Sequence, residues 1–124
     1  MTIIDAITGI DELKANTYTQ ENKLRWLSTL DLTVKHEIID THEQEAPVEF
    51  EGYSATTPMD TELLIPAPYD EVYFRWLEAQ IDYANGEYGR YNNSITMFNA
   101  SYNAFANYYN RTHMPIGQKI KVLT

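Results

Sequence analysis

Between residues 88 and 109 one apolar pattern runs almost without interruption. Tyr88, Tyr91, Ile95, Phe98, Tyr102, Phe105 and Tyr109 recur at alternating steps of three and four. That spacing places all seven on one stripe of an α-helix. Six of the seven are aromatic, so the stripe is broad, stiff and rimmed with hydroxyls. Such a surface has to be covered by protein, either elsewhere in this chain or on another copy. A chain of 124 residues supports one domain with a modest core. The stripe is therefore expected to be the spine of that core, in a domain spanning 1–114 followed by a tail at 115–124.

The remaining helices follow from similar periodicities. Thr2 can cap a short helix over 2–14 that carries Ile3, Ile7 and Ile10 on one face, weakened by Gly9. Thr17 or Thr19 opens a second helix with Leu24, Leu27, Leu30, Val34 and Ile38 on its apolar face. It is expected to run to about Glu43, a rod on the order of 35 Å. Pro47, Gly52, Pro58, Pro66 and Pro68 then break any helix, giving a long loop over 44–68. The runs 48–50 and 62–65 leave room in it for a short β-hairpin. A third helix is expected after Pro68, with Phe74, Trp76, Leu77, Ile81 and Ala84 inward. Asn85-Gly86 and Gly89 suggest a turn before the aromatic helix, although the heptad phase also permits one continuous helix over 69–112. Pro115 stops the last helix near Thr112. The fold class is all-α: a bundle of about four helices with a long proline-containing loop and an extended C-terminal tail.

Charge is divided along the chain. The net charge is −9, and all 18 acidic residues lie at or before Glu87. Residues 1–87 hold five basic residues, a balance of −13, whereas 88–124 hold Arg90, Arg111, Lys119 and Lys121 and no acid, a balance of +4. The acidic part argues against DNA wrapping, which needs clustered cations. Head-to-tail contact between identical subunits uses such an asymmetry economically. No 18-residue apolar run is present, so no membrane span is expected, and the N-terminus does not read as a signal peptide. Absence of cysteine removes disulfides and thiolate metal sites. An intracellular or virion context fits.

Candidate chemistry is sparse. His36-Glu37-Ile38-Ile39-Asp40 approaches the His-Glu-x-x-His zinc pattern with His42 nearby, but a metal needs three convergent ligands and a supporting shell. The paired carboxylates Asp11 and Glu12, Asp70 and Glu71, and Glu78 and Asp82 read as a solvated acidic face. Stacking of nucleobases on the tyrosines would need interleaved cations, and Arg90 alone sits in the stripe. Asn92, Asn93, Asn99, Asn103, Asn107 and Asn110 line another face of the last helix against their poor helix propensity. Either tertiary packing compensates, or these amides meet a neighbouring subunit. No phosphate loop, nucleophile elbow or dinucleotide fingerprint is present. The reading is non-enzymatic, with no cofactor and no metal. Asn92, Asn99, Asn103, Arg111, Lys119 and Lys121 are the candidate assembly contacts.

Several stretches carry a resemblance: Pro68-Tyr69-Asp70-Glu71, the run from Trp76 through Tyr83, Arg90-Tyr91-Asn92-Asn93-Ser94, Phe98-Asn99, and Tyr108 through Pro115. Leu24-Arg25-Trp26-Leu27 and Ile38 through His42 fit it as well. The chain resembles small head-completion, or head–tail connector, proteins of tailed phages and prophages of Gram-positive bacteria. The resemblance covers nearly the whole chain and includes no catalytic motif. It implies a helical bundle that assembles as a homo-oligomeric ring on the portal, with tail and loop contacting the portal or neighbouring subunits. The ring would meet a stopper or tail protein and surround the DNA channel without specific DNA binding. It implies a place at the virion head–tail junction after assembly in the host cytoplasm.

Overall fold

A computed structural model describes residues 1–116; the expectations placed on Lys119, Lys121 and the rest of 117–124 lie outside the described residues. Four helices follow in order: α1 Ile3–Leu13, α2 Gln20–Val34, α3 Val72–Ala84 and α4 Tyr88–Thr112. No strand forms among the described residues, and β-pairing is limited to two isolated bridges.

The first two helices begin where their capping residues dictate. The Thr2 hydroxyl accepts from the Asp5 amide, and the Asp5 carboxylate accepts from the Thr2 amide, a reciprocal capping box. Of the two threonines expected to open α2, Thr19 serves, accepting from the Asn22 amide. Gly9 has a packing reason that propensity does not show: a methyl there would lie 2.4 Å from Phe74 Cε1. Its absence lets α1 approach α3 closely.

The second helix does not reach Glu43. The α-helical pattern stops at Val34, and a π turn occupies Lys35–Ile39. The wider turn keeps Ile38 and Ile39 buried while redirecting the chain into His42. The third helix starts at Val72 rather than at Pro68, after tight turns over 66–72. Ala84, expected inward, is exposed, whereas Tyr73, Ala79 and Asp82 are buried. The aromatic helix is separate, because the chain turns at Asn85-Gly86.

The core joins Ile3, Ile7 and Ile10 of α1 to Leu27, Leu30 and Val34 of α2 and to Val72, Leu77 and Ile81 of α3. α3 is the central element: it packs on α1 and α2 and makes the most extensive helix pair with α4. The Trp76 indole N–H donates to the Trp26 carbonyl at 2.7 Å, fixing α3 to α2. Buried Lys23 reaches Asp11 at 2.6 Å and ties α2 to α1.

The 44–68 loop contains no hairpin. Its second half instead lies along the start of α1: Ile3 N–H donates to the Thr61 carbonyl at 3.0 Å and Ile4 N–H to that of Met59 at 2.9 Å. Leu63 and Ile65 from this stretch enter the core. The Met59 and Thr61 carbonyls thus serve first-turn amides of α1, which have no partner within their own helix, and the amides of 63–65 go to the Met1 carbonyl, Asp31 and Tyr73 rather than to a second strand.

Candidate functional site

α4 presents two faces of opposite character. Its inner face carries the aromatic stripe, and only part of that stripe is covered. Phe98 and Phe105 are buried, at 8% and 2% exposure. Tyr91, Ile95, Tyr102 and Tyr109 are half-buried, and Tyr88 at the first turn is 60% exposed. Phe98 meets Trp76 with ring centres 5.0 Å apart, and Phe105 meets Tyr69 at 5.9 Å. The Tyr102 hydroxyl donates to Glu37 at 3.1 Å; burial and that carboxylate push the phenol well above its usual value. The stripe thus packs on α3 at its centre and loosens toward Tyr88, where Tyr83 and Tyr88 form an exposed ring pair.

The outer face is exposed and uncharged. From Tyr91 to Asn110 no residue carries a charge, a length of about 28 Å. Asn92, Asn93, Asn99, Asn103 and Asn107 are all exposed, and among the described residues none of their side chains takes a hydrogen-bond partner. Asparagine costs a helix up to about 0.7 kcal/mol relative to alanine. Among the described residues no side-chain hydrogen bond offsets that cost at these five positions. Arg111 is exposed at the end of the same helix.

At that end the chain returns to the π turn. Glu43 N–H donates to the Met114 carbonyl at 2.9 Å, and Ile116 N–H to the Thr41 carbonyl at 3.1 Å. Buried His42 anchors this junction. Its Nδ1 donates to the Ile38 carbonyl at 2.6 Å, and its Nε2 pairs with the Asn110 side chain at 2.7 Å. Tyr109 stands edge-on to His42 and stacks on His113 with centres 3.8 Å apart. The candidate metal set does not converge. His36 is exposed and lies 3.7 Å from Asp40, while His42 is engaged by Ile38 and Asn110. Among the described residues no three His, Cys, Asp or Glu side chains form a group fit for a metal.

The most constrained polar group is one that the sequence reading passed over. Asp31 is fully buried on α2. Its Oδ1 accepts from the Tyr73 hydroxyl at 2.7 Å; its Oδ2 accepts from the Leu64 amide at 3.1 Å and from the Tyr53 hydroxyl. The Tyr73 hydroxyl in turn accepts from the Ile65 amide at 2.8 Å. No cation joins the cluster in the described residues. Burial raises the Asp31 carboxyl above the usual range, and the three hydrogen bonds pull it back only in part. The available signal was a charged residue set among Leu27, Leu30 and Val34 on the apolar face.

A second buried carboxylate, Asp82, pairs with Lys14 at 2.6 Å and accepts from the Ser94 hydroxyl at 2.9 Å, joining α1, α3 and α4. Asp31 and Asp82 lie in separate clusters, so neither forms an acid–base pair. Comparison with protein-family models, with curated proteins and with solved structures gave no match.

Proposed function

We propose that this chain is a non-enzymatic structural subunit of a phage head–tail connector, forming an oligomeric ring on the portal that joins the DNA-filled head to the tail. The observation that carries the reading is the outer face of α4: exposed, uncharged between Tyr91 and Asn110, and rich in amides that take no side-chain hydrogen bond among the described residues, on a chain of net charge −9. Copies that are each strongly acidic repel one another over most of their surface. Along α4 they can approach without that penalty, and Asn92, Asn99 and Asn103 offer donors and acceptors to a neighbour. Arg111, Lys119 and Lys121 supply positive charge for an acidic neighbour or for the portal. The acidic remainder, turned to the channel, keeps DNA sliding rather than bound. In this reading the protein sits at the head–tail junction of the virion and meets a stopper or tail protein.

The competing reading, a small intracellular regulatory module that engages a partner helix through the aromatic stripe, is less favoured because Phe98 and Phe105, at the centre of the stripe, are covered by this chain. Native mass measurement of the protein at high concentration, alone and with the cognate portal, tests the proposal. A ring-sized complex on the portal is expected. A chain that stays monomeric and never binds portal sinks it.

A further inference from the structure

The long loop is attached to the bundle very unevenly. Residues 45–52 make no hydrogen bond among the described residues, and most are exposed. From Met59 onward the loop is anchored by α1, by Asp31 and by the burial of Leu63 and Ile65. Between these regions Tyr53 makes the hydrogen bonds to the bundle. Its amide donates to Ser28 Oγ at 2.9 Å, and its hydroxyl donates to Asp31. Residues 54–57 bond among themselves: Ser54 N–H to Thr57 Oγ1 at 2.8 Å and Thr57 N–H to the Ser54 carbonyl at 3.0 Å. Gly52, at φ +96°, lies so close to α2 that a Cβ would come within 2.8 Å of Ser28 Oγ. The loop is pressed onto α2 at this one point.

We propose that residues 45–58 form a strap over α2 that opens as a unit when Tyr53 releases Asp31 and Ser28, while the four helices stay folded. Two features make the opening local. Phe50 stands edge-on to Tyr53, with ring centres 5.0 Å apart, and so leaves with it rather than holding the strap down. Asp31 keeps the Tyr73 hydroxyl and the Leu64 amide after Tyr53 departs, and water can enter the vacated place. The carboxylate is then never stranded, which is the condition that would otherwise couple opening to global unfolding. Opening bares Ser28 and Leu32 of α2. The inference is independent of the connector reading.

Tyr53→Phe tests it, since the ring stays and only the hydroxyl goes. Cleavage by a glutamate-specific protease after Glu49 or Glu51 should become about ten- to a hundredfold faster, the value of one hydrogen bond to a buried carboxylate. Amide exchange at Leu27, Val34 and Leu77 should keep its native rate. Ser28→Ala should move strap cleavage in the same direction. Cleavage of either variant at the native rate overturns the proposal. So does immediate cleavage of the native strap, or a matching loss of protection in the helices.

Discussion

The Tyr73 hydroxyl stands between Asp31 and the backbone, donating to the carboxylate at 2.7 Å while accepting from Ile65 N–H at 2.8 Å. One oxygen atom thereby joins α2, α3 and the end of the long loop. Tyr73→Phe removes both bonds and leaves a buried amide and a buried carboxylate oxygen short of partners. A loss of about 2–4 kcal/mol is expected in urea titration. A loss below 1 kcal/mol would mean that water enters the site and replaces the hydroxyl.

Asp31 also sets a pH dependence of definite sign. Its carboxyl is raised above 3.8 in the folded chain, so the folded state holds the proton more tightly than the unfolded state. The stabilisation linked to that proton is complete below the unfolded value and is lost as pH rises through the raised value. Asp11 acts in the opposite sense: burial pushes it up, but hydrogen bonds from Lys23 and Asn16 outweigh this and hold it low. Its contribution is lost as pH falls. The stability of the native chain relative to Asp31→Asn should therefore grow as pH falls from neutrality toward 4. A difference that is constant with pH in parallel urea titrations would refute this.

Gly9→Ala should destabilise the protein even though alanine is favoured over glycine in a helix by about 1 kcal/mol. The new methyl would lie 2.4 Å from Phe74 Cε1 and 2.6 Å from Cζ, so the half-buried ring must move. A net loss of about 1–2 kcal/mol is expected, as for other overpacked sites. In the Phe74→Leu background the same change should become neutral or stabilising. Equal effects in both backgrounds, read from thermal melts, would rule out the steric explanation.

Truncation along the stripe should follow coverage. Phe98→Ala and Phe105→Ala should each cost about 3–5 kcal/mol. Tyr88→Ala, at 60% exposure, should fall within about 0.5 kcal/mol of the native chain. Thermal melts run beside size measurements separate a core role from an assembly role. A Phe105→Ala chain that keeps its melting temperature but loses assembly would move Phe105 to the interface.

The amides of α4 should behave in the reverse manner. Asn99→Ala and Asn103→Ala each improve helix propensity, by up to about 0.7 kcal/mol, and remove no side-chain hydrogen bond among the described residues. The double variant should melt higher than the native protein and, under the proposed connector role, bind the portal less well. Unchanged ring assembly would remove these residues from the interface.

How much of this was legible in the sequence depends on the range of the interaction. Thr2, Thr19, Asn85-Gly86 and Pro115 act within a few residues, and the helix starts and stops that they govern stand close to where their chemistry puts them. The burial of Leu24, Leu27, Leu30, Val34 and Ile38 follows from period alone. Asp31 does not, because the groups that satisfy it, Tyr53, Leu64 and Tyr73, lie 22 to 42 residues away. The π turn is hidden for a related reason: the chain beyond it meets 114–116, a long-range junction that no local pattern encodes. Ala84 failed as a core residue because the α3–α4 turn leaves that position outside the helix pair.

The π turn at Lys35–Ile39 has a genetic reading. It closes a regular helix with one residue more than an α turn would take, a single codon's worth of chain. Winding these five residues as α-helix without removing one would swing everything beyond them by about 100°. His42 would turn away from Asn110, and the backbone of 41–43 would no longer face Met114 and Ile116. The place where Met114 and Ile116 meet the chain is thus set by residues more than seventy positions earlier.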